Sequence, residues 1–455
     1  MLSSSSAPPL SRRGFLLSAA GILTAAFALA LARRDANKSA QRVANSVLSA
    51  KRVAPSMWVG GVTNSSAVIK AYLGVGMRGQ LVVREVGNVA PALRFDIASA
   101  AKGSAIGSAH LTGLQSSVQY EYSLEVEGRR VSLPRGRFKT FPSGVASFQF
   151  AFASCARTGS AHQVFTTIRN KEPLFFLHLG DLHYSNIAKD KPALFRAAFD
   201  SVFTSATQSQ LYREVPLAYV WDDHDFGPNN SDSLAPGRRS ARVTYQEYIP
   251  HYPLGAGAGD VPIYQAFSVG RVRFLLLDVR SERSPADVTD GPRKTLLGSV
   301  QKAWLKQELL ATRDGAKLTF IGSPIPWIGA GRANDGWAGY AFERRELAQF
   351  IAAHQLKNVC FLCGDAHMLA ADDGRESGYA GTAAAPIPVL HGSALDRGAS
   401  FKGGPYSHGY YLPKQNEGCF GWVEVRDEGA RIAVDFSGRT HRDEPKIRLS
   451  FDCTI

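Results

Sequence analysis

Five apolar runs in this chain end in acidic residues, histidine or turn residues. Phe175-Phe176-Leu177-His178-Leu179 leads into Gly180-Asp181, and Leu217-Ala218-Tyr219-Val220-Trp221 leads into Asp222-Asp223-His224-Asp225. Arg273-Phe274-Leu275-Leu276-Leu277 closes with Asp278, Leu318-Thr319-Phe320-Ile321 with Gly322-Ser323-Pro324, and Val359-Cys360-Phe361-Leu362-Cys363 with Gly364-Asp365-Ala366-His367. Short continuous apolar runs bounded by turn residues predict strands buried on both faces. Ligands of α/β sheets gather beyond the carboxyl ends of such strands, so these ends are expected to converge. Asp181, Asp223, Asp365 and His367 would then meet as a metal site, whose hard oxygen and imidazole donors suit divalent or trivalent ions rather than a thiolate-rich structural zinc.

Helical spacing of apolar residues over Pro192–Ser205 and Ser299–Leu310 predicts helices between these strands, the second ending before Asp314-Gly315. The last runs, Gly421–Val425, Arg431–Phe436 and Lys446–Phe451, read as antiparallel strands completing one sheet. Residues 50–143 differ in texture. Short alternating runs such as Ser66–Leu73, Gln80–Arg84 and Val118–Leu124 are separated by Gly- and Ser-containing turns, which predicts an all-β sandwich. Leu111-Thr112-Gly113-Leu114, Tyr120-Glu121-Tyr122 and Gly136–Thr140 resemble the last strands of a fibronectin type III-like module. At 455 residues the chain exceeds one compact core. The expected division is a leader over 1–49, the small β-sandwich over 50–143 and a larger α/β (α+β) domain over 144–455.

The leader carries Ser11-Arg12-Arg13-Gly14-Phe15-Leu16-Leu17, which resembles a twin-arginine export signal, followed by an uncharged stretch from Gly14 to Ala32. Export to the periplasm or exterior, through the twin-arginine machinery, is the expectation. The stretch is also long enough to stay as a membrane anchor. Charge changes the picture less than its size suggests. Of the net +13, +5 lies in residues 1–50, and the rest is spread without a Lys/Arg run interleaved with aromatics, so a nucleic-acid platform is not expected. Among the five cysteines, Cys360 and Cys363 lie in one strand with side chains on opposite faces, which suits core packing better than redox or zinc chemistry.

Ser154-Cys155, Gly180-Asp181-Leu182-His183-Tyr184, Trp221-Asp222-Asp223-His224-Asp225 with Asn229-Asn230, and Gly364-Asp365-Ala366-His367 follow one another in the order and approximate spacing of the PhoD-like alkaline phosphatases. That family lies within the calcineurin-like metallophosphoesterases, and the resemblance covers most of residues 50–455. It implies a metallophosphoesterase β-sandwich flanked by helices, and hydrolysis of phosphate esters by attack of a metal-bound hydroxide. It also implies two or more metal ions, Fe3+ and Ca2+, held by Cys155, Asp181, Tyr184, Asp223, Asp365 and His367. Asp181 is the candidate carboxylate shared between two ions, and His224 the candidate donor to the leaving oxygen beside Asp223. Arg157 could clamp a phosphate oxygen, and Asn229 or Asn230 could face metal or substrate. Each of these also has a loop-building reading. His178, His391 and His408 read as structural or surface residues. The competing class is an exported binding or adhesion protein with a structural metal site, against which the completeness of the donor set argues.

Overall fold

A computed structural model of the chain describes residues 56–99, 103–329, 335–381 and 386–454. The leader read over 1–49 lies outside these residues, as do residues 330–334 of the glycine-rich stretch that follows Trp327. The alternating runs form β1 (Met57–Gly60), β2 (Ala67–Tyr72), β3 (Arg78–Glu85), β4 (Leu93–Ser99), β5 (Ile106–Leu111), β6 (Gln119–Val126), β7 (Arg129–Arg130) and β8 (Gly136–Lys139). In β6 the period of two is explicit: Tyr120, Tyr122 and Leu124 are buried, and Gln119, Glu121 and Ser123 between them are half-buried. The next apolar runs form β9 (Phe148–Ala153), β10 (Phe176–Leu179) and β11 (Leu217–Val220), the last two buried throughout. They are followed by β12 (Gln265–Val269), β13 (Val272–Leu276), β14 (Leu318–Ser323), β15 (Val359–Cys363), β16 (Leu369–Asp372), β17 (Val389–Gly392) and β18 (Tyr410–Tyr411), then β19 (Cys419–Asp427), β20 (Arg431–Thr440) and β21 (Pro445–Thr454).

Among the described residues these strands make two sheets in a mixed α/β architecture. In the larger one β9, β10 and β11 run parallel, and β19, β20 and β21 extend it antiparallel from β9. The smaller one has β13, β14, β15 and β17 in parallel, with β12 and β16 antiparallel to them. The helical patterns are realised as Pro192–Phe203, with proline in its first turn, and Gly298–Asp314.

Aromatic side chains hold the sheets face to face. Phe150 of β9 stacks on Phe175 at 5.0 Å and meets Phe274 and Phe320 of the other sheet edge-on at 5.3 and 5.5 Å, and all four are fully buried. This packing brings the carboxyl ends of parallel strands from both sheets together. A Cβ on Gly364 would lie 2.6 Å from the Leu179 carbonyl oxygen and 2.7 Å from that of Pro324. Gly180 sits at φ +89°, and a Cβ there would lie 2.4 Å from that of Asp222. Glycine at these two positions is a steric requirement of the convergence.

The described residues all fall in one compact unit. β1 pairs with β11 in parallel and with β2 antiparallel, so the first strands are continuous with the larger sheet. Trp58 stacks on Phe203 at 4.3 Å and donates from Nε1 to the Tyr248 carbonyl at 2.7 Å. Lys70 of β2 is buried in the same contact, its Nζ donating to the Gln246 carbonyl at 3.1 Å. Burial, against the attraction of Glu247, pushes its pKa down from 10.5 to about 8.

Because the folded value lies below the unfolded one, the unfolded chain binds more protons between about pH 8 and pH 10.5, and the cost of the buried ammonium is relieved as pH rises through that window. Lys70→Met is therefore expected to differ most in stability from the wild type below pH 8, with the gap shrinking toward pH 10.5. Denaturant unfolding at a series of pH values measures this, and a gap independent of pH would contradict the burial of a charged Lys70.

Candidate metal centre

The converging strand ends bring six predicted donors close together, with Cys155, Asp181, Asp223 and Asp365 buried. Cys155 follows β9, Asp181 follows β10, Asp223 follows β11, and Asp365 and His367 follow β15, with Tyr184 three residues beyond Asp181. Cys155, Asp181, Asp365 and His367 all have positive φ, at 64, 56, 59 and 42°. Non-glycine residues rarely adopt this conformation, and clusters of such strain mark functional sites. Backbone bonds enforce it here. Cys155 N–H donates to the Gly180 carbonyl at 3.1 Å, Ala156 N–H to that of Asp181 at 2.9 Å, and Asp365 N–H to Ser154 Oγ at 3.1 Å.

Donor atoms of Cys155, Asp181 and His367 all lie within 4.8 Å of one another, and so do those of Asp181, Asp223 and His224. Asp181 belongs to both groups. Its Oδ1 is buried without a hydrogen-bond partner, as is Oδ2 of Asp365. A thiol, carboxylates and imidazoles with unclaimed oxygen lone pairs fit a pair of metal ions sharing one carboxylate.

Electrostatics point the same way. Burial, with Cys155, Asp223, Asp222 and Asp225 adding repulsion, holds Asp181 well above the usual carboxylate range. Burial and Asp365 push the Cys155 thiol up to about 11. Burial, then Cys155 and Asp181, raise the Tyr184 phenol. These groups ionise only if cations offset the crowded negative charge, and metal binding is then coupled to proton release.

Both imidazoles are oriented by acceptors. Nδ1 of His367 donates to the Gly398 carbonyl at 2.7 Å, which leaves Nε2, 3.0 Å from the Tyr184 hydroxyl, as the bare nitrogen. Nδ1 of His224 lies 2.6 Å from Asn186 Oδ1, so its Nε2 likewise carries a lone pair. Burial brings the His224 pKa down to about 4. Arg157 is exposed, and it is its backbone N–H that is anchored, to Asp396 Oδ1 at 2.7 Å. Asn230 N–H donates to Asp223 Oδ2 at 2.5 Å. Asn229 and Asn230 line a cavity of about 350 Å³ with Ile328, Asp335, Ala338 and Lys402. His183 is buried and its N–H donates to Asp225 Oδ1 at 2.9 Å, while His178 and His391 are buried in the core.

Supporting residues distant in sequence escaped the motif reading. Arg280 is fully buried and pairs through Nε with Asp222 Oδ1 at 2.6 Å, and through Nη1 with Asp335 Oδ1 at 2.8 Å. Arg283 donates to the same Asp335 oxygen at 2.6 Å. Against the effect of burial, these arginines hold Asp335 below the usual carboxylate range. Lys402 is ion-paired with Asp365 Oδ1, and Arg397 lies with its guanidinium carbon 3.9 Å from the centre of the Tyr184 ring. Only the closure of Leu275–Leu277 on Asp278, two residues before Arg280, could have signalled any of them.

Two helix-flanked sheets with donors at their joined strand ends are the architecture of metallophosphoesterase-like proteins. The fold resembles that reported as the structure of PhoD, with a TM-score of 0.70 and 19% identity over 88% of this chain and 90% of that one. It also resembles purple acid phosphatase PPD1 from yellow lupin seeds, with a TM-score of 0.59 and 12% identity over 88% of this chain and 74% of that one. A family model described as PhoD-like phosphatase matches residues 150–399, and the chain belongs to that family. In sequence it is 28% identical over 324 residues to alkaline phosphatase D of Bacillus subtilis (strain 168), covering 59% of this chain and 54% of that protein. It is 24% identical over 304 residues to the uncharacterized protein Rv2577 of Mycobacterium tuberculosis (strain ATCC 25618 / H37Rv), covering 62% and 54%. The chain spans about half the length of the curated relatives it matches.

Asp181→Asn, which keeps the shape and removes the shared charge, is expected to reduce the content of both metals, whereas His367→Ala reduces one. Elemental analysis of the purified variants checks this, and an Asp181→Asn protein with full metal content would remove its shared role. Arg280→Met leaves Asp222 and Asp335 buried without their partner and is expected to cost about 3–5 kcal/mol of stability, measured by denaturant unfolding.

Proposed function

We propose that this chain is an exported, metal-dependent phosphoric ester hydrolase of the alkaline phosphatase D type, acting on phosphate monoesters or diesters. The observation that carries the reading is Asp181 standing in both donor groups, one with Cys155 and His367 and one with Asp223 and His224. When bound, the metal pair would supply Lewis acidity toward phosphoryl oxygens and a water acidified enough to attack phosphorus. Iron(III) with calcium suits the donors. A raised phenol at Tyr184 and a thiol at Cys155 ionise beside a strongly Lewis-acidic ion, and the carboxylates at 223 and 365 suit a hard one.

The chain's own residues do the remaining work. Gly398 and Asn186 fix His367 and His224 as bare-Nε2 imidazoles, and Asn230 fixes Asp223. The cavity of about 350 Å³ beside Asn229, Asn230 and Lys402 receives the ester's leaving group. In hydrolysis the oxygen of water bonds to phosphorus, the P–O bond to the leaving alcohol breaks, and that alcohol takes up a proton. The twin-arginine segment Ser11–Leu17 supports export.

Purified full-length protein is expected to hydrolyse aryl phosphate monoesters or diesters, to lose activity on chelation and to regain it with iron and calcium. The wild type is expected to absorb in the visible through a phenolate-to-iron band that Tyr184→Phe abolishes. A metal-replete protein inactive on mono-, di- and lipid phosphoesters would overturn the hydrolase reading. Activity without colour would remove the iron and Tyr184 assignment alone.

A further inference from the structure

We propose that Arg397 grips the phosphoryl oxygens of the substrate, with the ring of Tyr184 as the platform that holds its guanidinium in place. The inference rests on the phosphate-ester reading above and adds to it the residue that binds the anion. Of the cations at the centre, Arg280 is saturated by Asp222 and Asp335, Lys402 is engaged by Asp365, and Arg157 is exposed. Arg397 differs from Arg280 and Lys402 in carrying no ion pair, and from Arg157 in being partly buried. Among the described residues no carboxylate lies within ion-pair distance of it, and its buried Nε lacks a hydrogen-bond partner. An arginine left unpaired beside this many carboxylates is available for an anion brought from outside.

Its position matches that task. The guanidinium carbon lies 3.9 Å from the centre of the Tyr184 ring, which also meets the His224 ring at 4.0 Å between centres and, through its hydroxyl, His367 Nε2 at 3.0 Å. Those imidazoles belong to the two different donor groups, so the ring that carries Arg397 touches both. The flanking residues are tied to the same frame. The Asp396 carboxylate accepts from Arg157 N–H at 2.7 Å and Ser160 Oγ at 2.5 Å, and the Gly398 carbonyl accepts from His367. A stacked guanidinium keeps its N–H fork free, and that planar fork matches two phosphate oxygens at once.

The test uses the full chain loaded with metal and two substitutions, Arg397→Gln and Arg397→Lys. Metal content, affinity for inorganic phosphate by calorimetry, and kcat and KM on an aryl phosphate ester are measured for each. Arg397→Gln is expected to keep the wild-type metal content, to bind inorganic phosphate at least about tenfold more weakly and to lose roughly 10²–10³-fold in kcat/KM. Arg397→Lys recovers part of both losses through its point charge, and added guanidinium ion partly rescues the Gln variant. Full metal content with wild-type phosphate affinity in Arg397→Gln would overturn the proposal. Loss of metal in that variant would overturn it too, by making Arg397 a support for the ligand frame. A wild-type protein that binds phosphate and loses the affinity in Arg397→Gln, yet cleaves no ester, would retire the hydrolase reading and leave this one standing.

Discussion

Like charge forced together out of water is the constraint on which this structure turns. Asp181, Asp222, Asp223, Asp225 and Asp365 are all buried at the joined ends of parallel strands. Desolvation and mutual repulsion would each keep such groups neutral unless opposing charge is supplied. The protein supplies part of it. Arg280 neutralises Asp222 from behind, anchored on Asp335 with Arg283, and Lys402 covers one oxygen of Asp365. What is left uncompensated is concentrated on Asp181, which has one buried oxygen without a partner and borders two sets of donors. A centre of this kind suits cations, and Asp181 is the carboxylate placed in both donor groups.

The fold's contribution is to make that crowding unavoidable. Aromatic packing between Phe150, Phe175, Phe274 and Phe320 sets the two sheets face to face, and the chain then has to turn sharply at each strand end. Gly180 and Gly364 allow backbones to approach where any side chain would collide. Four donor residues accept left-handed backbone conformations there, held by hydrogen bonds that cross from one strand end to the next. The strain is the local cost of aiming short side chains at a common point.

The segment from Ser393 to Lys402 does comparable work without contributing a predicted donor. Ser393 accepts from Ser154 at 2.8 Å, Asp396 ties down the turn after Cys155, Gly398 sets the tautomer of His367, and Lys402 balances Asp365. One loop thus orients donors that follow two strands, β9 and β15. Within it, Arg397 stacks on the Tyr184 ring.

Sequence by itself determined which strands are buried, where they end, and that Asp181, Asp223, Asp365 and His367 follow those ends, because burial on two faces writes a continuous apolar run and turns write glycine and aspartate. It also marked Cys155 and Tyr184 through motif order. What only the tertiary structure decided was charge balance and proton placement: Arg280, Asp335, Arg397 and Lys402 lie in stretches without periodicity or motif, and their partners are far away in the chain. The proton position on His224 depends on Asn186, 38 residues earlier. Hydrophobic patterning is a local signal, since each residue's environment repeats with the element it occupies, whereas the pairing of buried charges is settled only when distant segments meet.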